Sequence, residues 1–205
     1  MAQAALVPDD LPRPEPDSVI VLRGATWADY QRVLELRGDG SVPRVAYLEG
    51  VLELMSPSLS HEVIKSMLGR LVEAWCLERG VDITPYGSWT HESKEGARGA
   101  EPDECYVLGD DPAPLRCDLA IEVVWSHGGI DKLQIYQKLG VREVWVWKAG
   151  SISLYRLRDQ RNEALSASEV LPGIDLPQLL GFMNVRPMTR AVREYRAALA
   201  RNTNG

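Results

Sequence analysis

The sequence is poor in cysteine, and its few cysteines show no pattern typical of a disulfide framework. Three occur among 205 residues, an odd number, and no two of them form a CxxC pair. A chain of this length buries roughly 70% of its unfolded surface, so its fold requires neither a disulfide nor a metal. We therefore predict that Cys76, Cys105 and Cys117 are free thiols in a reducing compartment and form no metal site.

Long apolar runs are also missing. No stretch approaches the roughly 20 apolar residues of a membrane-spanning helix. The N-terminus lacks the basic start and the apolar core that are typical of a signal peptide. Together with the cysteine usage, these absences predict a cytoplasmic protein that has no membrane partner.

The sequence also has no excess of basic residues. The formal net charge is −6, and the sequence pI is near 5.2. This charge counts against a protein that coats nucleic acid through a broad basic surface. It leaves room for an enzyme that concentrates positive charge in one cleft.

Several catalytic signatures are absent too. The segment HEVIK begins at His61 like the metalloprotease motif HExxH, but Lys65 stands where the second histidine must be. No GxSxG elbow, P-loop or GxGxxG precedes a helix. The three histidines are scattered and do not show the spacing of a zinc site. These observations disfavour the metalloprotease, hydrolase and nucleotide-binding classes.

Apolar periodicity predicts a single layered domain. Residues 1–18 are rich in proline and acidic side chains, which predicts a disordered arm. Residues 19–185 contain runs of strands flanked by helices, of which 60–79 is the longest. Residues 186–205 form a basic amphipathic helix and a tail. The pattern predicts an α/β fold with a central mixed β-sheet, in which the apolar segments IEVV and VWVW are central strands.

Local signals predict individual turns and caps within this domain. Thr26 is expected to cap a first helix, with Asp29 three residues on completing a capping box. Glu49-Gly50 is expected to join two strands as a hairpin turn. The glycine-containing segments KEGARGA and SHGG are predicted to be loops.

Three charged side chains in the middle of this domain form a candidate site. Glu122 lies inside an apolar strand, where a carboxylate needs a partner or a metal. Asp103 follows Pro102 at the start of the preceding strand, and Lys132 begins the next helix. Each residue also has an ordinary structural explanation: a buried ion pair, a turn and a solvated lysine. Clustering of several titratable side chains favours a functional site over these separate structural roles.

The segments that carry these residues match a known pattern in order. They read YLEGVLELMSPSLSHE, EPDECYVL, DLAIEV and KLQIYQKLGVREVWVW. Between about Val45 and Leu157 the chain resembles the Uma-two family of restriction endonucleases, within the PD-(D/E)XK nuclease superfamily. This resemblance implies a restriction-endonuclease-like core and a Mg²⁺-dependent endonuclease that hydrolyses DNA.

By this resemblance, Asp103 belongs to the PD element and Glu122 is the second acid. The lysine expected two residues after Glu122 is replaced by Val124, and Lys132 from the following helix matches the lysine that takes over. Lys138 is the competing candidate, but it lies nearly two turns further along that helix.

The resemblance also implies a separate role for each of these residues. Asp103 and Glu122 are expected to hold Mg²⁺, or Mn²⁺ in its place, while Lys132 stabilises charge and steers the attacking water. Glu53 is an auxiliary ligand candidate and His61 a candidate phosphate contact, although each has an equally good structural explanation.

Further expectations follow from the same resemblance. Asp118 and Glu101 flank the site and are expected to support its ligands. Double-stranded DNA is the expected partner, and a homodimer that uses the C-terminal helix is a further hypothesis. The alternative, which rests on Val124, is a non-catalytic protein of the same fold that binds nucleic acid or a protein partner.

Overall fold

The computed structural model describes residues 16–124, 130–158 and 161–201, which form two β-sheets and five helices. The strands are β1 (Ser18–Arg23), β2 (Arg44–Leu48), β3 (Val51–Ser56), β4 (Ile83–Pro85), β5 (His91–Ser93), β6 (Arg98–Ala100), β7 (Glu104–Leu108), β8 (Leu119–Val123), β9 (Glu143–Lys148), β10 (Ser151–Arg158) and β11 (Arg161–Leu165). The helices are α1 (Trp27–Arg37), α2 (Leu59–Arg79), α3 (Lys132–Lys138), α4 (Leu176–Leu180) and α5 (Met188–Arg201). Most of the predicted arm, the predicted loop at 125–129 and the end of the predicted tail lie outside the described residues.

Local sequence signals account for the first helix and the first hairpin. Thr26 accepts a hydrogen bond from the Asp29 N–H, and the Asp29 side chain accepts one from the Thr26 N–H, so α1 begins with the predicted capping box. The hairpin of β2 and β3 turns at Glu49 and Gly50, both of which have positive φ. Both elements confirm the sequence prediction.

The six-stranded sheet carries the centre of the fold. Its order is β11-β10-β9-β8-β7-β4, and only the β8–β9 pair is parallel among its described strands. The predicted central strands, β8 and β9, do lie in the middle. Ile121 is paired with Trp145, so the strands that carry Glu122 and Trp145 belong to one sheet.

The two faces of this sheet have different partners. Ile121 and Val123 share a core cluster with Leu71 and Trp75 of α2 and with Tyr195 of α5. Because side chains alternate along a strand, the side chain of Glu122 projects from the opposite face, where Ala120 packs with residues of α3. Helix α3 therefore lies over the face that presents Glu122.

A second sheet was not predicted from the sequence. It has five antiparallel strands in the order β1-β3-β2-β6-β5. Its strand β6 forms in the segment KEGARGA, which the sequence predicted to be a loop. The absence of a side chain at Gly99 is required there, since a Cβ atom would overlap the Tyr30 hydroxyl. The expectation of one central sheet was therefore incomplete.

The C-terminal helix packs into the domain. Ala191, Tyr195 and Leu199 of α5 are buried in the same core as α2, and Arg196 pairs with Glu78 of α2 at 2.5 Å. Helix α5 was hypothesised from the sequence to be a dimer surface. Its apolar side is largely covered within one chain. No helix in the described ranges combines the length and the apolar character that a membrane crossing needs.

Candidate active site

The strand register brings the two predicted acids together. Glu104 is paired with Ile121, and the Asp103 N–H donates to the Ile121 carbonyl at 3.1 Å. Asp103 therefore lies next to the strand that carries Glu122, and its Oδ2 accepts from the Val123 N–H of that strand. Neither residue type nor spacing along the sequence specifies this pairing.

Glu122 is held by two side chains of α3. Lys132 Nζ donates to Glu122 Oε2 at 2.7 Å, and the Tyr136 hydroxyl donates to Glu122 Oε1. Lys132 and Tyr136 are four residues apart, so both lie on the helix face that covers the strand. The Asp131 side chain caps the helix by accepting from the Leu133 N–H. The competing candidate, Lys138, is exposed at the other end of the helix.

Asp103 is fully buried and surrounded by donors. Its Oδ2 accepts from the Val123 N–H at 2.6 Å. Its Oδ1 contacts Arg44 Nη1 and lies 2.9 Å from His61 Nε2. Arg44 is itself 5% exposed and provides the positive charge that a buried carboxylate requires. Sequence reasoning missed Arg44, although an arginine opening an apolar strand, RVAYL, was an available signal.

His61 links Asp103 to the N-terminal segment. Its Nδ1 lies 2.9 Å from Asp17 Oδ2, and Asp17 Oδ1 accepts from the Ser58 N–H at 2.8 Å. Burial works to raise the pKa of Asp17, but the hydrogen bonds with His61 and Ser58 outweigh it and hold the pKa below its usual value. With both ring nitrogens beside carboxylates and no exposed surface, His61 presents no free nitrogen to a phosphate in this arrangement.

We expect Asp17→Asn to lower the free energy of unfolding at pH 7 by about 1 kcal/mol, because it removes a charge-assisted hydrogen bond to His61. A depressed folded-state pKa gives stability that is present above the unfolded value, about 3.9, and is lost as the pH falls through the folded value. The difference between wild type and variant should therefore hold above about pH 4 and shrink below it. Urea unfolding across this range measures it.

The exposed acidic residue Asp39 supplies the control for this experiment. Asp39→Asn should change stability little at any of these pH values, because it removes a solvated charge. Equal effects of the two substitutions would contradict a specific role for Asp17.

A cleft of about 380 Å³ opens beside Glu122. Its polar lining includes four carboxylates and one ammonium, contributed by Asp17, Glu53, Glu122, Asp131 and Lys132. The remainder is largely apolar. Glu53 Oε2 accepts from the Ile130 N–H at 2.9 Å, which fixes Glu53 on the wall that it shares with Glu122. Asp103 has no exposed surface and is not among the residues that line the cleft.

The two flanking acids are engaged in local structure. Glu101 accepts from Arg37 at 2.6 Å, from the Val45 N–H at 3.0 Å and from the Thr90 hydroxyl at 2.6 Å. Asp118 accepts from the Leu108 N–H at 2.8 Å and from Arg142 at 3.0 Å. These bonds stabilise the strands around the site.

The donors beside the cleft fit a hard divalent cation. Mg²⁺ binds through one or two carboxylates and keeps several waters. Glu122 and Glu53 offer carboxylates on the cleft wall, and Asp103 is hydrogen-bonded to the strand that carries Glu122. Arg44 currently compensates the charge of Asp103. A cation shared by Asp103 and Glu122 would take over part of that role.

Comparison with known proteins identifies the family. The model of the Uma2 family, described as "Putative restriction endonuclease", matches residues 27–186. The chain belongs to the Uma2 family. This match covers most of the sequence and confirms the resemblance inferred from its motifs. A comparison with the curated proteins found no match.

Solved structures support the same fold for this Uma2 chain. It is similar to the crystal structure of "a putative nuclease belonging to DUF820" from Anabaena variabilis, with a TM-score of 0.51 and 14% sequence identity. The similarity covers 84% of this chain and 99% of that one. At this identity the likeness shows the fold alone, and it confirms the predicted α/β, nuclease-like architecture.

Proposed function

We propose that this Uma2 protein is an endonuclease that depends on Mg²⁺ or Mn²⁺ and hydrolyses the phosphodiester bonds of double-stranded DNA. The observation that carries the proposal is the Lys132–Glu122 pair on the cleft wall, on the strand next to Asp103. The family supports a nuclease. The dependence on a metal ion and the choice of DNA as substrate go beyond the family description and are part of the proposal.

The charge of the cleft is the reason for proposing a metal. Four carboxylates and one ammonium line it, so a phosphodiester would meet net repulsion there. Asp103 and Glu122 are the proposed ligands, and Glu53 is placed to join them directly or through water. When bound, the cation supplies a water of lowered pKa and neutralises charge at the phosphate.

Lys132 has the second role in the proposed reaction. Its ammonium is directed by Glu122, and it is 19% exposed, so it reaches the cleft. There it would stabilise charge that develops on the phosphate and orient the attacking water. The Tyr136 hydroxyl holds the other oxygen of Glu122 and so restricts the rotation of that carboxylate. Together these contacts compensate for the lysine that Val124 replaces.

A plasmid assay tests the proposal. Supercoiled DNA should become nicked and then linear with Mg²⁺ or Mn²⁺, and should stay intact with a chelator. Linearisation requires cuts in both strands, so we include a homodimer in the proposal. Parallel arms with single-stranded DNA and RNA test the preference for a duplex.

One observation favours a second function. The charge of Asp103 is already met by Arg44 and His61, and no lysine follows Glu122 at the usual spacing. A protein with these features could bind nucleic acid or a protein partner without cutting. Retarded migration of DNA with no cleavage under either ion, and no rise in melting temperature with Mg²⁺, would favour this alternative.

A further inference from the structure

A buried cluster of one imidazole and two thiols lies where the two sheets meet. His91 belongs to β5 of the five-stranded sheet, Cys105 belongs to β7 of the six-stranded sheet, and Cys117 precedes β8. The three are 5%, 0% and 0% exposed. Their donor atoms all lie within 4.8 Å of one another, close enough for the three side chains to hold one metal ion.

The spacing of the donors matches a tetrahedral zinc site. Zinc bonds to sulfur at about 2.3 Å and to imidazole nitrogen at about 2.0–2.1 Å, so tetrahedral angles place neighbouring donors roughly 3.5–3.8 Å apart. His91 Nε2 and Cys105 Sγ are 3.6 Å apart. The Trp89 ring packs on the imidazole, with centroids 4.1 Å apart, and restrains its orientation. Little movement would be needed to bring all three donors to one ion.

We propose that His91, Cys105 and Cys117 form a Zn²⁺ site that joins the two sheets and is distinct from the cleft at Glu122. Soft thiolate ligands select Zn²⁺ or Cu⁺ over Mg²⁺. Two thiolates and a neutral imidazole around Zn²⁺ carry no net charge, whereas Cu⁺ would leave one negative charge. Burial of a net charge is costly, so the enclosed position favours zinc.

The number of protein ligands determines what completes the coordination of the ion. Three protein ligands are one fewer than a closed structural zinc site has, so a water is expected in the fourth position. Cys105 is two residues after Asp103, so the ion would also restrain the strand that leads from the proposed active site.

This proposal departs from the sequence prediction of no metal site among the cysteines. The three cysteines are indeed free thiols. However, Cys105 follows His91 by 14 positions, Cys117 follows Cys105 by 12, and His91 reaches the thiols from the other sheet. A search for CxxC or closely spaced histidines does not detect such a set.

Metal titration of the full chain tests the site. Reduced, chelator-treated protein should bind one Zn²⁺ per chain and show a higher melting temperature with the ion. With Co²⁺ as the probe, the wild-type complex should show thiolate-to-metal charge-transfer absorption, which a carboxylate site does not produce. This spectrum decides the ligand type without any variant.

Cys76 provides a matched control, because it is a buried thiol in the core of α2 that lies outside the cluster. Cys105→Ser and Cys117→Ser should each weaken zinc binding by more than the roughly 10- to 100-fold that loss of an outer partner costs. Cys76→Ser and Glu122→Gln should keep it. Retention of zinc in Glu122→Gln separates this site from the proposed nuclease centre.

Three outcomes would overturn the proposal. They are no Zn²⁺ binding by the wild type, a Co²⁺ spectrum without the thiolate band, and equal loss of zinc in Cys76→Ser and Cys117→Ser. Binding of Cu⁺ without binding of Zn²⁺ would also reject the zinc assignment. Should the serine variants fail to fold, the wild-type stoichiometry and the Co²⁺ spectrum still decide.

Discussion

Glu122→Gln is expected to lower metal-dependent plasmid cleavage by several orders of magnitude while the fold persists. A catalytic metal contributes several kcal/mol of charge stabilisation, and each 1.4 kcal/mol or so is a factor of ten in rate. Glutamine keeps the shape of Glu122: its carbonyl oxygen can accept from Lys132, and its amide N–H can donate to the Tyr136 hydroxyl oxygen. It lacks the charge that holds a cation. Nicking rates at several Mg²⁺ concentrations measure the effect.

A substitution at Lys132 should distinguish metal binding from the chemical step. Lys132→Ala should leave the Mg²⁺-induced rise in melting temperature largely unchanged, because the carboxylates remain. It should slow cleavage by roughly 10²–10³-fold, as loss of one charge-stabilising donor does. The matched control is Lys138→Ala on the same helix, where the lysine is exposed and should be dispensable.

The two lysine variants decide between the candidates. Slow cleavage in Lys138→Ala together with normal cleavage in Lys132→Ala would transfer the role to Lys138. Unchanged cleavage in Glu122→Gln, with circular dichroism confirming the fold, would contradict the proposed active site as a whole.

Arg44→Met should destabilise the metal-free protein by about 3–5 kcal/mol, because it leaves the buried charge of Asp103 without its cation. Methionine fills similar space, so most of the effect is electrostatic. If Asp103 is a metal ligand, Mg²⁺ should recover part of this loss, since the ion supplies the missing positive charge. Urea unfolding with and without Mg²⁺ measures both quantities.

Arg37 provides the comparison for Arg44. Its guanidinium is 2.6 Å from the buried carboxylate of Glu101, in an ion pair that does not line the cleft. Arg37→Met should also destabilise the fold, but Mg²⁺ should not restore it. Recovery of neither variant would indicate that Asp103 does not bind the ion, and would favour the non-catalytic function.

A double variant tests whether the uncompensated charge of Asp103 causes the loss of stability in Arg44→Met. In the double variant Arg44→Met/Asp103→Asn the buried charge and its partner are removed together. Its stability should exceed that of Arg44→Met alone, because replacing both members of a buried pair is less costly than removing one. Its cleavage should stay low, because a proposed ligand is missing.

Much of the architecture was predictable from local sequence. The capping box at Thr26 and the break at Glu49–Gly50 both formed where the sequence placed them. The apolar segments around Glu122 and Trp145 became paired central strands. Each of these signals depends on neighbours within one element, namely caps, turns and the alternation of apolar side chains.

Other features required the three-dimensional structure. The sequence predicted Asp103, Glu122 and Lys132 as members of one site, because they lie in consecutive elements. It did not predict that Arg44 and His61 would enclose Asp103, or that Asp17 would fold back onto His61. These contacts join positions that are more than 40 residues apart, so no local pattern records them.

Periodicity and local signals therefore predicted most of the order of elements, and the resemblance of the motifs indicated the family and the acids of the candidate site. Tertiary structure alone decided the second sheet, the cation beside Asp103 and the meeting of His91 with Cys105 and Cys117. The physical reason is that a side chain's direction follows from its strand and helix, whereas its partner depends on sheet order and register. Those are set by packing of the whole chain.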